Sequence, residues 1–293
     1  MKVGLVILPS DRWREARRQW QWADAAGFTT AWTYDHIRWG GMPDGPWHSA
    51  FPVLAAAAGV TTRLRLGTLV ATPNFRHPVT LAREALALDD LSDGRLDLGV
   101  GPGSEGPDAT VLGQDAWAPS ERMARFEQFL GILRRMVDGD ATTRTTVEDG
   151  YYACLDAPST PGAVQSPLPV TVAAGGPRGL RLAAAHGDQW VTIGPTGQGE
   201  RTPAAILEHV RLQCAALDVA CDALGRAPST LPRVLLWTPT EPALTSLQQL
   251  EDLVAPYREL GIDQFVLHHP EQTGPYGGSL AVFEKIAARY AEG

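Results

Sequence analysis

Short apolar runs alternate with longer amphipathic segments along the whole chain. Eight runs predict strands, at residues 3–8, 30–34, 64–69, 96–100, 170–173, 189–193, 231–237 and 264–267. They are nearly continuous in apolar residues, the pattern of parallel strands covered on both faces. Between them, helices are predicted at 12–26, 49–59, 78–91, 202–224, 245–260 and 279–290. Pro256 falls inside one of these and predicts a kink or an early end there. Eight strands in alternation with helices predict a closed (β/α)₈ TIM barrel rather than a doubly wound sheet.

One connection breaks the rhythm. About 101–168 separates the fourth and fifth strands and reads as an insertion within a single domain spanning 1–293. It holds a helix near 120–137 and a hairpin of 142–147 with 151–155 around Asp149-Gly150. A proline-rich return follows at 158–169. A long structured connection after a barrel strand is expected to form part of the active-site wall.

Composition narrows the function classes. A net charge of −8 argues against nucleic acid or an anionic membrane as partner. Cys154, Cys214 and Cys221 form no CxxC pair, which points to a reducing, cytoplasmic setting. No leader pattern and no apolar run of membrane-spanning length is seen. Lys2 and Lys285 are the only lysines among 25 basic residues.

In a barrel, chemistry sits on the loops that follow the strands. After the second strand come Tyr34, Asp35, His36, Arg38 and Trp39, with His36 able to exchange a proton near neutral pH. After the third come Arg76 and His77, just ahead of a helix. After the fourth come Gly99, Gly101 and Gly103, then Ser104, Glu105 and Asp108, where backbone could approach a ligand and a carboxylate could act as acid. After the fifth, Gly175-Gly176-Pro177-Arg178 places exposed amides at a helix start, a candidate phosphate cradle. Thr192 and Thr196 follow the sixth strand as possible hydroxyl donors. At the eighth, His268 and His269 point to opposite faces, so one at most faces the mouth. Tyr34, Trp39, Trp47, Phe75, Trp117 and Trp237 suggest an aromatic lining. No HExxH, CxxC pair or GxSxG motif appears, so neither a metal site nor a serine nucleophile is expected. A glycosidase would need paired acids at adjacent strand ends, which are dominated here by Gly, Thr, His and Trp.

Several segments together carry a family resemblance. They include Leu66-Gly67-Thr68, Arg76-His77-Pro78, the run Leu91 through Gly101, Ala174-Gly175-Gly176-Pro177, and Gly261-Ile262-Asp263. In order and over nearly the whole chain, they resemble the bacterial-luciferase-like superfamily of flavin- and F420-dependent oxidoreductases. The resemblance implies a non-prolyl cis peptide at Leu69-Val70 and a cofactor at the barrel mouth. Asp35-His36 with Trp39 looks more like F420-dependent dehydrogenases, so coenzyme F420 is the implied cofactor, with FMN as the alternative. The alternative function is an FMNH₂-dependent monooxygenase; a non-catalytic flavin-binding protein is a third. His36, Trp39 and Glu105 are the implied catalytic residues. Asp35, Leu69, Val70, Gly103, Ser104, Gly175, Gly176, Pro177, Arg178 and Thr192 are the implied cofactor contacts. Trp39 stands one position early and Glu105 one position late against the family pattern. A small-molecule substrate and a homodimer are also implied.

Overall fold

The computed structural model describes residues 1–195, 202–238, 244–271 and 276–291. Eight parallel strands close into a barrel: β1 (Lys2–Val6), β2 (Thr30–Thr33), β3 (Arg65–Thr68), β4 (Leu96–Val100), β7 (Val170–Ala173), β8 (Gln189–Thr192), β9 (Arg233–Leu236) and β10 (Gln264–His268). The ring closes where β1 pairs with β10, Val6 lying opposite His268. Around it run α1 (Trp13–Ala26), α2 (Ala50–Ala58), α3 (Pro78–Leu91), α4 (Pro119–Val137), α5 (Pro177–His186), α6 (Pro203–Asp222), α7 (Leu247–Glu259) and α8 (Leu280–Tyr290). The strand-per-helix alternation read from the sequence is the observed TIM barrel. No described helix is long and apolar enough to cross a membrane.

The chain folds this way because two cores form at once. Apolar faces of the helices bury against the outside of the sheet, with Trp20, Phe129, Leu130 and Tyr257 among the covered side chains. A smaller apolar cluster of Val6, Leu8, Trp32, Tyr34, Leu69, Val191, Val234, Leu236 and Val266 is separate from it and comes from alternate positions of the strands and their C-terminal ends. Trp32 is fully buried in it. Gly67 makes room for that ring, since a Cβ there would lie 2.4 Å from Trp32 Cε3. Pro256 is carried within α7, which continues to Glu259.

Two expectations for the long connection are corrected. The helix at 119–137 is the barrel's own fourth helix, packed between α3 and α5. What is additional is the loop before it and the hairpin after it, β5 (Arg144–Val147) with β6 (Cys154–Pro158). The second hairpin strand starts at Cys154 and not at Tyr151. The cause is Gln128 on α4: its Oε1 accepts from the amides of Tyr151 and Tyr152 at 2.7 and 3.1 Å, and its Nε2 donates to Asp149 O. Those amides are therefore bound by a helix side chain and unavailable to the strand ladder.

The Leu69–Val70 peptide is cis, as are Thr160–Pro161 and Ser166–Pro167. β3 ends at Thr68, and pairing with β4 resumes at Ala71, whose amide donates to Gly99 O. Leu69 and Val70 thus interrupt the pairing with β4, while the Leu69 amide still donates to Thr33 O of β2, at the C-terminal end of the barrel, the end where site chemistry is to be sought.

Candidate active site at the barrel mouth

Above the apolar cluster the mouth is walled by rings. Tyr34 lies 5.6 Å from Trp39 and 6.1 Å from His36, centroid to centroid. Trp47 completes the group, 5.1 Å from Trp39 and 6.0 Å from His36. Of the six aromatic residues singled out in the sequence, these three come together. The other three do not: Phe75 faces the Arg76 guanidinium, Trp117 lies under that of Arg125, and Trp237 stacks on Phe265 in the outer core. Trp47 Nε1 and Thr72 Oγ1, on the loops after β2 and β3, are buried without a hydrogen-bond partner. Such groups call for a polar ligand or water.

His36 is half-buried and its Nδ1 lies 2.7 Å from Asp108 Oδ2. A carboxylate can only accept, so Nδ1 carries the hydrogen and Nε2 is the ring's second exchangeable position. Asp108 is buried on a short 3₁₀ turn, Pro107–Ala109, and its Oδ1 also accepts from the amides of Ile37 and Arg38. One carboxylate therefore sets the His36 ring and the loop that carries it. The sequence marked Asp108 as a possible acid; its partnership with His36 spans 72 positions and depended on the fold. Glu105 lies elsewhere: it is exposed, 3.4 Å from Arg122 on α4.

Asp35 is buried and takes both faces of a bidentate contact with Arg76, one arm being Nη2 to Oδ1 at 2.7 Å. Arg76 also binds Glu84 and lies over the Phe51 ring. Asp35 thus anchors the β2 loop to the β3 loop. The glycines after β4 serve packing rather than the open approach expected of them. A Cβ on Gly99 would meet Thr68 O at 2.0 Å, and one on Gly103, at φ +78°, would meet Asn74 Oδ1 at 2.3 Å. Asn74 Nδ2 in turn donates to Ser104 O.

Gly175 and Gly176 are different. Both are exposed, Gly176 is the N-cap of α5 with no side-chain cap, and a Cβ on it would meet nothing within 4 Å. Pro177 occupies the first helical turn. The exposed backbone of Gly176 accordingly stands at the positive end of α5. Two expected helpers are committed elsewhere. Arg178 turns to α4, where it pairs with Glu127 at 2.6 Å and reaches Ser120 O. Thr192 Oγ1 donates to Gln213 Oε1 at 2.7 Å and accepts from the Gly194 amide. Gln213, buried on α6, then donates to Gly175 O and so ties the glycine turn to β8. No sequence pattern singled out Gln213. Thr196 lies outside the described residues.

His268 faces the mouth and His269 faces out, as strand alternation required. His268 Nε2 shares a 2.7 Å hydrogen bond with Tyr34 Oη, and its ring stacks on Tyr276 at 3.9 Å. His269 sits edge-on to Trp22 of α1. Burial pushes the His268 imidazolium down to about 3 and that of His269 down to about 4, a backbone contact at Trp237 partly offsetting the first. Both rings are neutral in the folded protein, whereas an unfolded histidine titrates near 6.5. Protons therefore bind the unfolded chain preferentially as pH falls below that value. Stability is expected to fall from about pH 6.5 downward, by about tenfold in the folding constant per pH unit for each histidine. Chemical denaturation from pH 8 to 4.5 measures this; a slope that His268→Gln leaves unchanged would remove His268 as a cause.

A family model described as luciferase-like monooxygenase matches residues 1–263. The chain is 35% identical over 177 residues to an F420-dependent glucose-6-phosphate dehydrogenase of Beutenbergia cavernae, covering 60% of this chain and 51% of that protein. It is 30% identical over 237 residues to an F420-dependent hydroxymycolic acid dehydrogenase of Mycobacterium tuberculosis, covering 77% and 59%. The chain thus spans about half the length of the curated relatives it matches. Among solved structures, an F420-dependent secondary alcohol dehydrogenase in complex with an F420–acetone adduct superimposes with a TM-score of 0.79 at 18% identity, over 97% of both chains, a likeness of fold.

Proposed function

The chain belongs to the luciferase-like monooxygenase family, and on that footing we propose that it is an F420-dependent oxidoreductase that moves a hydride to or from a small organic substrate. The observation that carries this reading is the hydrogen-bonded His36–Asp108 pair set among Tyr34, Trp39 and Trp47 at the barrel mouth. The uncapped amides at Gly175–Gly176 occupy another strand end of the same mouth. The F420-dependent activities of the relatives support it.

The residues present fit such a cofactor. Open backbone after β7 and the buried, unpartnered Trp47 Nε1 and Thr72 Oγ1 are the features a polar ligand would satisfy. Leu69 and Val70 would back its ring, Gly103 and Ser104 would border it, and Gly175, Gly176 and Pro177 would take its phosphate. Asp35 and Thr192 would act by holding those loops, and Arg178 by bracing α5 on α4. When bound, a deazaflavin supplies the hydride acceptor or donor. His36 would hold or release the accompanying proton at Nε2, with Asp108 keeping the hydrogen on Nδ1 and stabilising the charged ring. Trp39 would shield that proton from water. Glu105 would contribute as a carboxylate at the rim, through its pairing with Arg122.

We take residues 1–293 as one cytoplasmic domain. The closure of β1 on β10 and the three free cysteines support this. We also take it to act as a homodimer. Parallel equilibrium titrations with F420 and with FMN, each oxidised and reduced, test the cofactor. F420 should bind, and light scattering of the same sample should give twice the chain mass. Binding of reduced FMN alone would select the monooxygenase alternative, and binding of neither would end the cofactor reading.

A further inference from the structure

We propose that Gln213 is a positioning residue for the cofactor phosphate: it sets which face of the Gly175–Gly176 peptide the turn presents to the ligand. The proposal rests on the cofactor reading above and goes further, because it assigns the buried side chain that gives the glycine turn its polarity.

An amide in an apolar stripe is the first observation. The buried face of α6 includes Ile206, Val210, Cys214, Leu217 and Cys221, and Gln213 lies among them at 4% exposure. A buried primary amide costs stability unless its groups are bonded, and here both ends are. Thr192 Oγ1 donates to Gln213 Oε1 at 2.7 Å, and Gln213 Nε2 donates to Gly175 O at 3.1 Å. A backbone carbonyl can only accept, so the nitrogen end of the Gln213 amide must be the end facing Gly175. Its oxygen end is left for the Thr192 hydrogen. Thr192 Oγ1 in turn accepts from the Gly194 amide at 2.9 Å. Each donor in this chain is therefore directed toward the glycine turn.

The plane of the peptide is the second observation. The Gly175–Gly176 bond is trans, and in a planar trans peptide the C=O and the N–H point in opposite directions. A Gly175 carbonyl drawn in to buried Gln213 therefore sends the Gly176 N–H out to the exposed side, at the positive end of α5. Among the described residues that amide has no hydrogen-bond partner. The preceding peptide is tied in the same way: Trp190, fully buried, donates from Nε1 to Ala174 O at 2.9 Å. Glycine has no Cβ and takes up either orientation of such a peptide at little cost. An untied turn can therefore rotate the Gly175–Gly176 plane and bring its carbonyl oxygen to the phosphate, replacing a donor with a repelling partial charge. Gln213 holds the donor orientation before a ligand arrives, so binding does not have to select it.

The test uses the full chain with nitrogen-15 in its glycines. Without cofactor, inorganic phosphate should shift the Gly176 amide resonance of the wild type. Gln213→Met keeps the length of the side chain and removes its amide, and it should abolish that response. The same variant should weaken F420 binding by about tenfold or more, the scale of losing a hydrogen bond to a charged group, with a larger effect on the cofactor KM than on kcat. Thr192→Val should give a smaller loss of the same sign. Combined with Gln213→Met it should add nothing, since both changes break one chain. A glutamine that only packs α6 would lower the melting temperature on removal and leave the Gly176 response intact. That result, or wild-type F420 affinity in Gln213→Met, would overturn the proposal. Should Gln213→Met fail to fold, Thr192→Val decides by the same two readouts, and no change in either overturns it. If the wild type binds neither F420 nor FMN, the cofactor reading fails separately. The phosphate response of Gly176 then decides alone: its loss in Gln213→Met supports the positioning role, and its persistence there or its absence from the wild type ends it.

Discussion

His36→Ala is expected to lower turnover by about 100-fold or more, the scale on which a positioned acid–base group acts, while cofactor affinity changes little. The ring is carried on the loop after β2, and its Nδ1 is already taken by Asp108, which leaves Nε2 for the reacting oxygen. Asp108→Asn gives the companion result. The amide side chain cannot stabilise an imidazolium as a carboxylate does, so the optimum of the pH–rate profile should move to lower pH and kcat should fall. KM should change less. Asp108 also has a structural role, since it binds the amides of Ile37 and Arg38. Loss of that role by itself would lower stability and leave the shape of the profile alone. Stopped-flow rates for the variants across pH 5–9, with thermal melting alongside, separate the two. His36→Ala with full turnover would return the ring to a loop-holding function.

Gly176→Val should abolish cofactor binding without unfolding the protein. The backbone at Gly176 is extended, φ −104° and ψ 168°, a conformation that valine adopts readily. A Cβ there meets no protein atom within 4 Å. The substitution is therefore silent for the fold and obstructive only to something that approaches from the mouth. Fluorescence titration should show a loss of affinity too large to measure at micromolar protein, with an unchanged melting temperature. Arg178→Ala is expected to be milder than its position at the helix start suggested, because Glu127 already neutralises that guanidinium. A Gly176→Val protein with normal cofactor affinity would move the phosphate to another strand end.

How far the chain's own pattern reached can be read element by element. The runs at β4 and β7 were delimited to the residue, since strands covered on both faces leave a nearly continuous apolar signature, broken here by Asp97 and Thr171. The Leu69–Val70 position was legible through resemblance, not through any local rule. Opposite facing of His268 and His269 followed from strand alternation alone.

What stayed out of reach were the pairings between elements far apart in sequence. Asp108 with His36, Gln213 with Thr192 and Gly175, and Gln128 with the hairpin amides each join a side chain to a group 21 or more positions away. Arg178 and Gly103 had the composition of ligand contacts; that Arg178 pairs with Glu127 of α4 and that Gly103 lies against Asn74 became visible only in the fold. Local sequence sets which backbone conformations and which faces are favourable, and so it determined the barrel and the loops that form its mouth. Whether a polar group on those loops is free for a ligand depends on what the closed barrel brings within 3 Å of it, and only the tertiary structure decided that.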